Sequence, residues 1–189
     1  MAGKLIKYVL LLCVCVIISQ GGVDAGQKKK HTRRAPAKPA AAVQAAANYG
    51  TYNFTFTTTE GRKRHLADFS GKTVLVNIWT PSCAPCSVET QGFVGLYRKY
   101  HPKGLEILSI GVHAGESDAR SFSVATGALW PVGLSDDIAG IVGAFGLPDS
   151  YLFLPDGTMA KHFVGYTKQE VLEPVVRDAV TTAASSRRQ

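Results

Sequence analysis

Two cysteines separated by two residues, Cys83 and Cys86, have the type and spacing to perform chemistry. A thiolate attacks a disulfide, and a second thiol nearby can resolve the mixed disulfide that forms. Cys83 follows a predicted buried strand and stands where the next helix is expected to begin. The free N–H groups and dipole of a helix N-terminus stabilise negative charge, so we expect the pKa of the Cys83 thiol to fall. The spacing therefore predicts thiol–disulfide exchange, with Cys83 attacking and Cys86 resolving.

A Cys-x-x-Cys pair is also half of a common zinc site, and it can form a purely structural disulfide. Zinc in proteins is held by four N, S or O ligands. The histidines in the body of the chain are isolated from one another in sequence: His65, His101, His113 and His162. A structural disulfide would gain little, because closing so short a loop removes little chain entropy. Redox work is the favoured interpretation, and neither a metal nor a cofactor is expected.

The elements that must position the cysteines alternate between strands and helices. Strands are predicted at 52–57, just before 66, and at 73–79, 105–112, 130–134, 151–154 and 158–164. Helices are predicted at 86–100, at 117–126 with Ser117 as its cap, at 137–145, and at 167–182. The apolar run at 73–79 is typical of a strand buried on both faces. This alternation predicts an α/β fold with a mixed central sheet flanked by helices, and the first two strands form an N-terminal β-hairpin.

The first 25 residues have the composition of a targeting segment. Lys4 and Lys7 precede an apolar run at 8–18, and the small residues Val23 and Ala25 follow it. This order is typical of a secretory signal cleaved before position 26. The run is also shorter than the ~20 residues that a spanning helix needs. We therefore expect an exported, periplasmic or otherwise extracytoplasmic protein. An uncleaved membrane anchor is the alternative, because the basic residues after the run resist translocation.

The net charge of +7 belongs to the N-terminal part of the chain. Residues 1–48 hold eight Lys/Arg and one acid, whereas residues 49–189 hold thirteen of each. Nucleic-acid-binding domains carry basic charge on their folded part, so nucleic acid is not an expected partner. The Lys-, Pro- and Ala-rich segment has little to bury and predicts a disordered linker; its basic run could also contact a membrane surface. The predicted organisation is a signal at 1–25, a linker at 26–50, a domain at 51–183 and a tail at 184–189.

The residues around the cysteine pair resemble those of the TlpA/ResA/DsbE group of thioredoxin-like proteins. The similar residues are the stretch VLVNIW at 74–79, then Cys83-Ala84-Pro85-Cys86, and then Glu89. Members of that group are exported or membrane-tethered and reduce disulfides outside the cytoplasm, including in cytochrome c maturation. The resemblance covers roughly residues 52–182. It implies a thioredoxin-like fold, client proteins that carry disulfides, and a membrane-bound electron donor.

A second stretch, at 143–152, is similar to the Gly-x-x-Gly-x-Pro segment of the same group. By that match Pro148 is the cis-proline opposite the cysteines, where it would present backbone groups to a client. Cis X–Pro bonds are uncommon and are kept where the backbone must be placed deliberately. Leu147 and Pro85 would lie with it at the client-facing surface. The alternative for Pro148 is an ordinary trans loop proline.

Three further positions acquire expected roles from the resemblance. Glu89 would be an acid/base that helps proton transfer at Cys86, or else an acid favourably placed in the first turn of a helix. Trp79 matches an aromatic residue near the cysteines, which would either shape the client site or pack beneath it. Asn77 stands where thioredoxin proper has a buried acid, which fits the exported group better.

Two other functions are compatible with parts of the pattern. Thr80 and Cys83 have the Thr-x-x-Cys spacing of a peroxiredoxin-like thiol peroxidase, but the proline expected four residues before the threonine is Val76 here. A non-catalytic module could instead use the Pro148 loop to hold an extended peptide. Such a module would remain functional without either cysteine.

Overall fold

The computed structural model describes residues 47–140 and 146–186. These residues belong to one compact unit, which spans 41–189. The predicted signal at 1–25 and the predicted linker up to position 46 lie outside the described residues. Among the residues that are described, no helix combines the length and the apolar character needed to cross a membrane.

In the described part of the chain, seven strands form one mixed sheet in the order β2-β1-β5-β4-β3-β6-β7. The strands are β1 Thr55–Thr58, β2 Lys63–His65, β3 Thr73–Trp79, β4 Leu105–Gly111, β5 Val132–Leu134, β6 Asp149–Phe153 and β7 Met159–Val164. Strand β3 is parallel to β4, β4 is parallel to β5, and the other pairs are antiparallel. The predicted mixed sheet flanked by helices is therefore confirmed.

Three α-helices of the described residues flank the sheet: α1 Ala84–Tyr100, α2 Glu116–Thr126 and α3 Gln169–Ser186. Helices α1 and α3 pack on one face of the sheet through buried residues that include Phe93, Leu96, Leu172 and Val176. The other face is covered by aromatic side chains from the N-terminal part of the domain, among them Tyr49, Phe54, Phe56 and Phe69. Each face of the sheet therefore has a hydrophobic core of its own. Fully burying one large apolar side chain in such a core contributes about 1.5–3 kcal/mol.

Strand β3, which lies between β4 and β6, is buried along its whole length. Its side chains alternate between the two faces, so that Val74, Val76 and Ile78 join one core and Leu75 joins the other. A strand covered on both faces needs apolar residues at successive positions, which is why its sequence does not alternate. The strand that leads to the cysteines is thereby held rigidly.

Several predicted elements begin at different residues in the structure. The first strand starts at Thr55 rather than position 52, because Gly50–Tyr52 form a 3-10 turn. Helix α2 is capped at Gly115 and not at Ser117; the Asp118 carboxylate accepts the Gly115 N–H at 2.8 Å and closes this end of the helix. The helix predicted at 137–145 is a 3-10 turn at Asp137–Gly140, and positions 141–145 lie outside the described residues.

The residues at 47–50 pack against the domain, although the sequence predicts them to be part of the linker. Tyr49 is buried, and its ring contacts that of Phe153 edge-on at 5.4 Å. The Asn48 N–H donates to the carbonyl oxygen of Asp156 at 2.8 Å. A Cβ on Gly157 would come within 2.6 Å of the Asn48 backbone, so the close approach requires glycine there. The described part of the chain thus starts against the turn that joins β6 and β7.

Candidate functional site

The cysteine pair lies at the junction between β3 and α1, as the sequence predicts. Strand β3 ends at Trp79 and α1 begins at Ala84, with Cys83 as the residue that caps the helix. The Cys83 Sγ accepts the backbone N–H of Cys86 at 3.2 Å, which fixes the sulfur over the free donors of the first turn. Pro85 occupies the first turn, where its missing N–H costs nothing, and it is exposed.

The two cysteines form a disulfide with their Cα atoms 5.3 Å apart. They differ in accessibility, because Cys83 is partly exposed whereas Cys86 is fully buried. The Cys86 Sγ lies 4.0 Å from the carbonyl oxygen of Ile78, inside the sheet–helix interface. A macromolecule approaching the pair can therefore reach the sulfur of Cys83 and not that of Cys86.

The peptide bond between Leu147 and Pro148 is cis. Pro148 is buried, and Leu147 beside it is 36% exposed. The Pro148 carbonyl oxygen accepts the N–H of Gly165 at 2.8 Å, so this bond is tied to the loop after β7. Strand β6 starts at the next residue and pairs there with Ile78 of β3. This register places Pro148 at the end of the sheet that carries the cysteines.

Glu89 lies one helical turn after Cys86 and is 3% exposed. Its Oε1 accepts the backbone N–H of Thr167 at 2.7 Å, and its Oε2 accepts the side-chain amide of Asn77 at 3.1 Å. The hydroxyl of Ser150 lies 3.4 Å from the same Oε2. A carboxyl group so far from water is kept by three donors that come from three separate parts of the chain.

Burial raises the pKa of Glu89 from its usual 4.5 to about 7. Removal from water disfavours the charged form, and this effect outweighs the hydrogen bonds from Thr167 and Ser150, which act in the opposite direction. The negative charge of Asp149 nearby adds to the rise. A carboxyl group with this pKa can accept and release a proton near neutral pH.

A cavity of about 430 Å³ opens beside Glu89. It is lined by residues of α1, the loop after β7 and the start of α3, namely Val88, Glu89, Gly92, Phe93 and 166–170. Two of these side chains, Val88 and Tyr166, are at least half exposed. The cavity therefore links the buried carboxyl group to the protein surface beside the cysteine-bearing helix.

Trp79 lies beneath the site and not on its surface. Its side chain is fully buried and stacks on Phe122 of α2, with ring centroids 4.0 Å apart and ring planes 3° apart. Its indole nitrogen has no hydrogen-bond partner among the described residues. Trp79 packs in one apolar cluster with Cys86 and Phe122, against which Cys83 is partly buried, and its predicted contact with a client stays a prediction.

The polar residues that donate hydrogen bonds to Glu89 were not predicted from the sequence. Asn77 gave a signal as the single amide in an apolar strand, and its Oδ1 accepts the Thr90 hydroxyl at 3.0 Å. Ser150 and Thr167 gave none, because their contact with Glu89 depends on strand register and on a loop 78 residues away along the chain. Long-range contacts of this kind are set by the tertiary fold.

The amino-acid sequence of this chain is similar to that of proteins of known family. A model described as the AhpC/TSA family matches residues 48–171. The chain is 35% identical over 124 residues to the thiol-disulfide oxidoreductase ResA of Bacillus thuringiensis, covering 64% of this chain and 71% of that protein. It is 27% identical over 122 residues to ResA of Bacillus subtilis, covering 64% and 68% of the two chains.

Solved structures share the thioredoxin-like fold at lower sequence identity. One is a putative thiol:disulfide interchange protein DsbE of Chlorobium tepidum, with a TM-score of 0.62 and 23% identity over 68% of this chain and 93% of that one. Another is a secreted disulfide oxidoreductase of Mycobacterium tuberculosis, homologous to E. coli DsbE, with a TM-score of 0.60 and 20% identity over 68% and 97%. The chain therefore belongs to the AhpC/TSA family and is a thiol–disulfide oxidoreductase of the ResA type.

Proposed function

We propose that this protein works outside the cytoplasm, where it reduces disulfides of client proteins, including clients of cytochrome c maturation. The single observation that carries the proposed chemistry is the unequal exposure of the two cysteines. Cys83 is accessible at a helix N-terminus, and Cys86 is buried behind it. This arrangement supports attack by the first sulfur and resolution by the second.

In the first step the reduced protein attacks the client. The Cys83 thiolate, stabilised by the Cys86 N–H and the start of α1, displaces one sulfur of the client disulfide. The client S–S bond breaks, and a new S–S bond forms between Cys83 and the client. The released client sulfur leaves as a thiolate and takes a proton from solvent.

In the second step Cys86 releases the client. Its thiol gives a proton to Glu89, whose pKa of about 7 suits it to accept one. The Cys86 thiolate attacks the Cys83 sulfur, the mixed disulfide breaks, and the second client sulfur leaves as a thiolate. Two electrons have then passed to the client, and the protein holds the Cys83–Cys86 disulfide. A membrane-bound dithiol donor would reduce it again.

Client binding is assigned to the surface around Cys83. The cis Leu147–Pro148 bond would present backbone groups to an extended client segment, and Leu147 and Pro85 would contact its side chains. Trp79 would act from below, by holding the turn in place. The exposed side chain of Val88 widens this apolar surface.

The proposed location rests on the composition of the N-terminal segment and on a secreted protein of similar fold. The segment has the order of a secretory signal at 1–25, followed by a basic linker. The Mycobacterium tuberculosis protein of the same fold is described as secreted. If the signal is retained as an anchor, the linker would tether the domain at 51–183 to the membrane, and its basic run would contact the lipid surface.

Trapping the mixed disulfide tests the chemistry. Cys86→Ser, reduced and mixed with a disulfide-bearing protein, should accumulate a covalent adduct on Cys83 that a non-reducing gel separates. Cys83→Ser is the matched control and should give no adduct. If Cys86→Ser also gives none, the scheme is overturned. Peroxide consumption by the reduced wild type far faster than by a free thiol would favour the peroxidase alternative instead.

The reduction potential of the cysteine couple tests the direction of electron flow. A reductase is expected near the roughly −270 mV of thioredoxin, and an oxidase near the roughly −120 mV of DsbA. Equilibration with glutathione or dithiothreitol buffers of known potential measures it. A value at the oxidising end would reverse the proposed role while leaving the exchange chemistry intact.

A further inference from the structure

A second cavity, of about 210 Å³, lies between the start of α1 and helix α2. The exchange steps proposed above do not use it. Its wall includes Pro81 from the turn before Cys83, Ser87 of α1, and Asp118, Ser121, Phe122 and Ala125 of α2. The residues at 81, 121 and 125 are exposed, so the cavity opens to solvent.

The cavity lies within reach of a client that is bonded to Cys83. Pro81 is two residues before Cys83, and two trans peptide units span at most ~7.6 Å between Cα atoms. Cys83 also packs against the apolar cluster of Trp79 and Phe122, and both of these side chains line the cavity. An extended client segment advances ~3.3 Å for each residue. A side chain about two residues from the client's cysteine can therefore enter the cavity.

Asp118 is the charged side chain in the wall of this cavity. Its Oδ2 accepts the N–H of Gly115 at 2.8 Å, which fixes the carboxylate at the start of α2. Among the described residues no basic side chain pairs with it, and Arg120 of the same helix is paired with Glu116 at 3.0 Å. The Oδ1 of Asp118 is thus left to accept a hydrogen bond from a bound molecule.

The rest of the wall suits the stem of a long basic side chain. Trp79 and Phe122 stack at the inner side of the cavity, and Pro81 and Ala125 add apolar groups nearer to solvent. Lysine and arginine lay their methylene groups along apolar surface of this kind. At ~30 Å³ for each water-sized group, the cavity holds about seven such groups, which matches the non-hydrogen atoms of an arginine side chain.

We propose that this cavity binds the cationic side chain of a lysine or arginine located about two residues from the reactive cysteine of a client. The inference rests on the proposed function and names the class of client for the same site. The cationic group donates to Asp118, and the hydroxyls of Ser87 and Ser121 can accept its remaining N–H groups. Such a charge pair selects among clients more than it adds to affinity.

Competition between peptides for Cys83 tests the inference. Three peptides each carry one cysteine, with arginine, glutamine or glutamate at the second position on either side, and each is supplied as its symmetrical disulfide. The reduced full chain with Cys86→Ser is mixed with pairs of these disulfides, and mass spectrometry counts the early adducts on Cys83. The arginine peptide should be favoured over the glutamine peptide about two- to fivefold. The preference should shrink in roughly 0.5 M salt, because salt screens the charge pair.

Asp118→Asn, made in the same Cys86→Ser chain, removes the charge and keeps an oxygen that can accept the Gly115 N–H. The preference for arginine should disappear. Glu116→Gln is the matched control, because it removes a charge from the same helical turn at a position that does not line the cavity. It should keep the original preference. The preferences are ratios compared between variants, so the intrinsic reactivity of each peptide cancels.

A charge reversal gives a second, independent measurement. Asp118→Asn combined with Ser121→Lys places a cation in the cavity, and the glutamate peptide should then be favoured about two- to fivefold. Ser121→Lys alone leaves the cap of α2 intact and should abolish the preference for arginine, which tests the same charge if asparagine at 118 prevents folding.

The outcomes separate this inference from the proposed function. Equal reactivity of the three peptides, or a preference for arginine that Asp118→Asn leaves unchanged, would overturn the inference and leave the exchange chemistry intact. An equal loss of preference in Glu116→Gln would overturn it too, since net charge and not the cavity would then select the peptide. If no peptide forms an adduct on Cys83, the proposed chemistry fails and the inference fails with it.

Discussion

The backbone N–H of Thr167 donates a 2.7 Å hydrogen bond to the carboxylate of Glu89, across 78 residues of sequence. The bond ties the loop before α3 to the helix that carries the cysteines. It also fixes one oxygen of a carboxyl group that is 3% exposed. The proton on this group is therefore controlled by the fold around it, and several measurements can detect that control.

Glu89 should make the stability of the oxidised protein depend on pH. Its pKa is about 7 in the folded protein and near 4.5 when unfolded, so the folded state binds the proton more tightly. The resulting stabilisation is present below pH ~4.5, is lost as pH rises to ~7 and does not change further above that, a loss on the order of 3 kcal/mol.

Urea unfolding at pH 4.5 and at pH 8 measures this loss. The difference in unfolding free energy between the two pH values should shrink by on the order of 3 kcal/mol in Glu89→Gln, which cannot titrate. Other groups contribute equally to both proteins and cancel. An identical pH dependence in the two proteins would show that Glu89 is ionised normally in the fold.

Asn77→Asp should destabilise the protein most at high pH. The Asn77 amide donates to both Glu89 and Ser150, and an aspartate there cannot donate unless it is protonated. At pH 8 we expect a loss of about 2–4 kcal/mol, because two buried carboxyl groups then face each other. The loss should be smaller at pH 5, as measured by urea unfolding.

Thr90→Val is the control for that experiment. It removes the hydrogen bond to the other end of the Asn77 side chain and introduces no charge. Its cost should be about 1–2 kcal/mol at either pH. A pH-independent loss in Asn77→Asp as well would argue against electrostatic repulsion between positions 77 and 89.

Gly111→Ala should disturb the cysteine site from beneath. A Cβ at Gly111 would lie 2.7 Å from the Trp79 ring, which supports the turn before α1. The ring is held between the sheet and Phe122, so it must shift. We expect a loss of stability of about 1–3 kcal/mol. The exchange rate should fall about tenfold, because small misplacements of reacting groups are costly.

Gly133→Ala provides a comparison with similar crowding elsewhere. Its Cβ would lie 2.7 Å from Phe56 and from the carbonyl oxygen of Thr57, at the pairing of β1 with β5. Stability should fall by a similar amount, while the exchange rate of the folded protein stays at the wild-type level. Equal loss of rate in both variants would mean that the effect is general destabilisation.

Charge placed on the apolar surface beside the cysteines should weaken protein clients selectively. Val88 and Leu147 are exposed by 56% and 36%. Val88→Asp and Leu147→Asp should each lower kcat/KM for a protein disulfide by roughly tenfold, since apolar contacts at the centre of an interface carry most of its energy. The rate with a small aromatic disulfide should change little. Val124→Asp, at a position 84% exposed on α2, should leave both rates unchanged.

The features of the fold that depend on local sequence patterns could be predicted from the sequence. The apolar run of β3 and the cysteine spacing located the strand–helix junction, because burial on both faces and a helix start leave direct marks in the residues. The sequence predicts Ser117 as the cap of α2, whereas Gly115 and Asp118 form the cap in the structure. Both positions satisfy the residue preferences of helix caps, and tertiary packing decides between them. Nothing local could have joined Asp149 to His162, because that contact depends on the register of β6 and β7.

The close approach of Asn48 to Gly157 fixes where the first described residues meet the domain. The chain enters the domain at the β6–β7 turn, and Pro148 lies at the opposite end of β6. The contact of Asn48 and the cysteine site therefore lie at opposite ends of β6.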